Sequence, residues 1–214
     1  METKTLDGLL PDDFKEGLRN RLNRLSHNFE RSKRSLTYKR DLPLIGFRAW
    51  YWNWSPKGGK LESISSYGTS WPYGKILRAE HTKETEHFDC NCTCGIYSLY
   101  SLEELHKLLV REYAELLVSG AVECWGKIEM HEIGMRAEYA RPIAILKIDE
   151  LFRKINKRET QKLGWTNEFE KAYLDLIQGE AYQAANTYSL PLLSWEALKI
   201  YVGERGNLVQ RKDV

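Results

Sequence analysis

Long hydrophobic runs, signal sequences and catalytic motifs are all missing from this sequence of 214 residues. Its longest apolar stretches, such as residues 143–146, fall far short of the roughly 20 residues that a membrane-spanning helix requires. The first residues lack the apolar core of a secretory signal. We therefore expect a cytoplasmic protein with no membrane partner.

Gly-rich phosphate loops, nucleophile elbows and His-Glu-x-x-His helices are also absent, which excludes nucleotide hydrolysis by a P-loop. The chain has only four cysteines, and at this length it can bury a core without disulfide bonds. The near balance of 32 basic and 30 acidic residues argues against a surface that is wholly a nucleic-acid coat. The distribution of charge is therefore more informative than its sum.

Positive charge is concentrated near the N-terminus, where residues 11–40 hold nine basic and four acidic side chains. Apolar residues recur there at helical spacing from Phe14 to Phe29, which predicts a basic amphipathic helix and a linker over residues 1–43. This helix is either a solvated surface or an arm that contacts phosphates. The candidate phosphate-binding residues, called the basic arm below, are Arg19, Arg21, Arg24, Arg31, Lys33 and Arg34.

Strand and helix signals alternate along the rest of the chain, which predicts an α+β fold. We expect residues 44–146 to form a mainly antiparallel sheet that could close into a partial barrel, and residues 147–214 to form a helical C-terminal region. A capping box at Ser101 predicts a helix that runs to Gly120, and a later helix should stop or bend at Gly179. The strands are expected at residues 44–52, 60–66, 75–80, 121–129 and 135–145.

Aromatic residues are dense in the first predicted strand and in a turn that follows the second. Alternate residues of a strand point to opposite faces, so some of these rings are expected at the surface, where they could stack on nucleic-acid bases. Packing in the core is the alternative. The candidate base-stacking residues are Trp50, Trp52, Trp54 and Trp71.

Histidine and cysteine cluster between residues 81 and 94. A closed tetrahedral zinc site could take its four ligands from this segment, with Cys90 as a substitute. The spacing is not that of paired Cys-x-x-Cys knuckles, and the alternation from Phe88 to Ile96 equally fits a half-buried strand with inert thiols. Zinc is thus a candidate cofactor, and its candidate ligands are His81, His87, Cys92 and Cys94.

Several short motifs resemble those of a family of bacterial, archaeal and phage proteins for which no activity is established. They are Trp71-Pro-Tyr-Gly, Cys92-Thr-Cys-Gly-Ile-Tyr, Trp125-Gly and Gly134-Met-Arg-Ala-Glu-Tyr. That family commonly has a Cys at the position of His81, ahead of a His at the position of His87. The resemblance therefore implies a metal site in which His81 is still a ligand.

Two classes of function follow from these features. The first is a nucleic-acid-binding protein that uses the basic arm and exposed aromatic rings, with a structural zinc. The alternative is a metal-dependent enzyme acting on a small or nucleotide-like substrate. Its acid–base groups would come from one predicted hairpin that carries His131, Glu132, Arg136 and Glu138.

Overall fold

The computed structural model describes residues 35–54, 58–64, 69–79, 94–112, 117–162 and 164–204. Within these ranges the chain forms seven strands and four helices, which confirms the α+β class. In chain order they are β1 (Ser35–Asn53), β2 (Lys60–Ser63), β3 (Leu77–Arg78), β4 (Ile96–Leu99), α1 (Leu102–Glu112), β5 (Leu117–Met130), β6 (Gly134–Leu146), α2 (Glu150–Lys162), α3 (Asn167–Tyr188), β7 (Leu192–Leu193) and α4 (Trp195–Glu204).

Strands β1, β5 and β6 form the long antiparallel centre of the sheet. Strand β4 pairs with β6 and, through Phe47 and Leu99, with β1, so the pairing closes a ring of four strands that is not a barrel. Strand β7 lies parallel to β6 at Ile145 and Leu146 and makes the sheet mixed. This short strand was not expected, because two apolar residues after a helix carry no pattern of their own.

The predicted hairpin between β5 and β6 is confirmed, and the His131 amide donates to the Gly134 carbonyl at 2.8 Å. The cap at Ser101 is confirmed as well, because its hydroxyl accepts from the Glu104 amide at 3.2 Å. The helix after this cap, however, ends at Glu112, and Leu117–Gly120 already belongs to β5. The residues from Leu117 to Gly120 are buried in β5 and do not continue the helix.

Two predicted boundaries are wrong. The predicted linker does not reach residue 43, because β1 already begins at Ser35 and runs through the Lys39–Pro43 segment with a register shift between Arg40 and Leu44. A bulge absorbs the irregular residues inside the strand. Helix α3 likewise continues past Gly179, whose position has nothing within 4 Å of an added Cβ.

The two faces of the sheet have separate cores. One face packs Phe47, Ala121 and Ala144 against the helices, including Trp195 and Leu198 of α4. The other face buries Trp50 and Trp71 together with the C-terminal part of α3. In the described part of the chain, no helix combines the length and the apolar character needed to cross a membrane.

Candidate nucleic-acid interface

The basic arm lies outside the described residues, and so do His81, His87, Cys90 and Cys92 of the zinc segment. Cys94 is described and is half-buried. Among the described residues, no three His, Cys, Asp or Glu side chains are grouped so that they could hold a metal ion. The four-ligand set therefore stays a prediction.

For three of the four candidate base-stacking tryptophans, the structure shows packing in the core and not exposure at the surface. Trp50 and Trp71 are 0% and 1% exposed and pack edge to face at 5.5 Å. Trp52 is 9% exposed and donates to Gln183 of α3 at 3.0 Å. Only Trp54 of this set is exposed, at 54%. The buried three form core contacts that fix the sheet against α3.

The buried Arg48 completes this tryptophan cluster. Its guanidinium carbon lies 5.4 Å from the centre of the Trp71 ring, and the guanidinium donates to the Tyr97 carbonyl. Burial lowers the pKa of Arg48 to about 10 and raises that of the neighbouring Cys124 thiol to about 11. Cys124 is therefore a protonated, inert thiol at neutral pH.

The described strands show where the zinc segment leaves and rejoins the sheet. Strands β3 and β4 both pair antiparallel with β6, so that Arg78 lies opposite Tyr139 and Ile96 lies opposite Ala137. Positions 139 and 137 are about 7 Å apart along a strand. The two ends of the segment that connects β3 to β4 are therefore close together at the edge of β6.

A buried ion pair holds the end of this connecting segment that leads into β4. Arg136 donates to Glu129 from Nε at 2.8 Å and to the Cys94 carbonyl from Nη1 at 3.1 Å. His131 lies beside the pair, with its Nε2 atom 3.7 Å from Glu129 Oε1. All three residues are at most 4% exposed. The ion pair thus ties the backbone next to Cys94 to β5 and β6.

The predicted acid–base hairpin is divided between two environments. His131 and Arg136 are in the buried cluster with Glu129, whereas Glu138 faces Arg78 at 3.3 Å and Glu132 is exposed. The sequence reasoning missed Glu129, although its position on β5 directly opposite Arg136 follows from the hairpin register.

A bulge in β5 shapes the surface next to Tyr139 of β6. Gly126 and Lys127 lie between the paired positions Trp125 with Tyr139 and Ile128 with Ala137. Gly126 has φ +81°, and a Cβ there would lie 2.7 Å from Tyr139 Cδ2. Glycine is therefore required for the close approach of the Tyr139 ring to the β5 backbone.

Trp125, Tyr139 and Arg78 form a layered contact across three strands. The Trp125 and Tyr139 rings are stacked with centroids 6.1 Å apart and planes at 16°. The Arg78 guanidinium carbon lies 5.6 Å from the Tyr139 centroid, and its side chain is 64% exposed. A hydrogen bond to the Glu138 carboxylate raises the pKa of the Tyr139 hydroxyl. The Tyr139 hydroxyl thus anchors the contact, and the Arg78 side chain is open to solvent.

Arg141 extends this surface along β6. It lies opposite Glu123, two residues from the Trp125 and Tyr139 pair, so alternation places it on the same face of the sheet. Glu123 accepts from Arg141 Nε at 2.7 Å, while the arginine side chain stays 56% exposed. We call Arg78, Trp125, Tyr139 and Arg141 the aromatic–arginine platform. Sequence reasoning missed it because its members are brought together by strand pairing rather than by spacing along the chain.

Comparisons with family models, curated proteins and solved structures found no match to this chain. The resemblance carried by the Cys-x-Cys-Gly-Ile-Tyr segment therefore stays a prediction. The motifs that carry it do adjoin one another in the fold, since Tyr97 pairs with Arg136 and Trp125 pairs with Tyr139.

Proposed function

We propose that the protein binds nucleic acid through the aromatic–arginine platform together with the basic arm. The observation that carries the proposal is the stack of Trp125, Tyr139 and Arg78 on the surface of the sheet. Aromatic rings and arginine planes are the groups on which proteins stack bases, and exposed guanidinium groups bind phosphate. This platform takes the place of all four candidate base-stacking tryptophans, because Trp50, Trp52 and Trp71 are buried and Trp54 lies beyond the end of β1 that pairs with Leu117, away from Trp125.

The electrostatics of the platform support the same function. Among the described residues, Arg78 pairs with Glu138 and Arg141 with Glu123, and each carboxylate orients its guanidinium while most of the arginine side chain remains exposed. A guanidinium has five N–H donors, so a single carboxylate contact leaves donors for a phosphate. The basic arm adds sequence-independent attraction to a phosphate backbone.

A structural zinc in the segment from His81 to Cys94 is part of this proposal. Support comes from the pairing of β3 and β4 on β6, which brings the ends of the segment close together beside Tyr139 and Arg136. A zinc ion would fix such a loop next to the platform. Protein purified without added metal should contain one zinc per chain, and Cys92→Ser should lower this ratio. A ratio near zero, with freely titratable thiols at Cys90, Cys92 and Cys94, would contradict the zinc site.

Binding itself is tested with a fluorescently labelled 20-nucleotide strand and its duplex over a series of salt concentrations. We expect the affinity to fall steeply as salt increases, because bound phosphates release counterions. Replacing Arg19, Arg21 and Arg24 by Gln should flatten this dependence. Arg153→Gln is the matched control, because Arg153 contacts Asp175 at 2.8 Å between α2 and α3. No binding to any DNA or RNA form at low salt would contradict the proposal.

The second candidate is the metal-dependent enzyme, which is favoured by the Glu129 and His131 pair at 3.7 Å beside the Cys94 backbone. We rank it second because His131 is 2% exposed and Glu129 is 4% exposed, which favours a structural ion pair over groups that meet a substrate. Hydrolysis of nucleotides by the zinc-loaded protein that is lost in His131→Gln would reverse this order.

A further inference from the structure

We propose that Trp125 is the docking point for an unpaired base, so that the protein prefers single-stranded to double-stranded nucleic acid. This inference rests on the proposed nucleic-acid-binding function and assigns its substrate class. It is carried by the partly exposed indole of Trp125 and the ring that backs it, with centroids 6.1 Å apart.

The orientation of Trp125 is fixed before any ligand binds. Tyr139 lies against its ring, and the Tyr139 ring is itself placed by the glycine bulge at Gly126. Arg78 contacts Tyr139 as well, at 5.6 Å from its centroid. A stacking surface whose members are already packed loses little side-chain freedom when a base docks on it.

The separation of 6.1 Å between the rings leaves no room for a base between Trp125 and Tyr139, since stacked aromatic planes each need about 3.5 Å. A base must therefore stack on the face of the Trp125 ring that points away from Tyr139. In a duplex both faces of every internal base are already covered by neighbouring pairs, so this contact is available only to an unpaired base.

The arginines of the platform explain why nucleic acid is the occupant of this face. Arg78 and Arg141 are on the same side of the sheet as the stack, with side chains 64% and 56% exposed. Phosphates are present in single and double strands alike, so phosphate contacts from these arginines would not by themselves distinguish the two forms. Selectivity for single strands should then depend on Trp125, and overall affinity on the arginines.

Trp54 provides a matched control. It is exposed at 54% and follows the end of β1, where Tyr51 pairs with Leu117 at the start of β5. Trp125 lies eight residues further along β5, which corresponds to about 27 Å. This control separates the effect of removing any exposed tryptophan from the effect of removing Trp125.

The experiment measures the affinities of the full chain and of Trp125→Ala, Trp125→Phe and Trp54→Ala for a labelled 20-nucleotide strand and for its duplex. We expect Trp125→Ala to weaken single-strand binding about 10-fold or more, with duplex binding changed less than about 2-fold. Trp125→Phe should lose less because it keeps a ring, and it keeps the test usable if the alanine variant does not fold. Trp54→Ala should bind like the unaltered protein.

Equal losses for both forms, no loss in either Trp125 variant, or a larger loss in Trp54→Ala would overturn this inference while leaving nucleic-acid binding in place. Failure of the unaltered protein to bind either form would instead overturn the proposed function, and the inference with it.

Discussion

Arg136 lies directly opposite Glu129 in the β5–β6 hairpin and donates to its carboxylate from Nε at 2.8 Å. Both side chains are buried, so removal of one partner would leave the other charge in the protein interior. We expect Glu129→Ala to lower the free energy of unfolding by about 3–5 kcal/mol. Urea denaturation measures this change.

The exposed pair of Arg153 and Asp175 is the control for the buried pair, since Asp175→Ala should cost less than about 1 kcal/mol. Glu129→Leu combined with Arg136→Leu should be more stable than Glu129→Ala, because neither charge is then left alone. A loss below 1 kcal/mol in Glu129→Ala would show that the ion pair does not hold the hairpin.

Gly126 and Gly179 should respond to alanine in opposite directions. Gly126→Ala places a Cβ 2.7 Å from Tyr139 at a positive φ, so we expect a loss of about 1–3 kcal/mol. Gly179→Ala adds a methyl group in open space within α3, where it should gain about 1 kcal/mol. Thermal unfolding of both variants decides the matter, and a stabilised Gly126→Ala would refute the assigned role of the bulge.

Glu180 should make stability decrease with rising pH. Burial raises its pKa from 4.5 to about 8, and Oε2 has no hydrogen-bond partner among the described residues. Between these two values the unfolded chain releases a proton that the folded protein retains, so stability falls with a slope of up to about 1.4 kcal/mol per pH unit. Below pH 4.5 both states are protonated and the penalty is absent.

Glu180→Gln tests this dependence, because an amide does not titrate. Urea denaturation of both proteins measures the difference between their free energies of unfolding. This difference should favour the variant more at pH 8 than at pH 5. Parallel stability curves for the two proteins across this range would contradict the raised pKa.

Local patterns predicted the fold where one residue type decides the structure. Ser101 and the His131–Gly134 turn are of this kind, and both appear as expected. Patterns failed where pairing in the sheet decided a structure that the local sequence disfavoured or did not specify. The helix predicted to reach Gly120 ends earlier because Leu117 is buried on the helix-covered face of β5, and the Lys39–Pro43 segment is carried through β1 by a register shift.

The candidate site was less accessible to sequence reasoning, because exposure depends on which face of the sheet is covered. Trp50 and Trp125 are both strand tryptophans, but the first lies in the core between β1 and α3 and the second remains partly exposed. Cross-strand partners such as Tyr139 could have been found by writing out the β5–β6 register. The glycine after Trp125 was the available signal that this register contains a bulge.

The central claim is that the sheet surface binds the phosphates of nucleic acid. The most direct test is the slope of log affinity against log salt concentration for a 20-nucleotide single strand, in the unaltered protein and in Arg78→Gln combined with Arg141→Gln. If both guanidinium groups contact phosphates, the slope should become shallower by about 0.7 for each lost contact. An unchanged slope in the double variant, or no measurable binding by the unaltered protein at low salt, would contradict the claim.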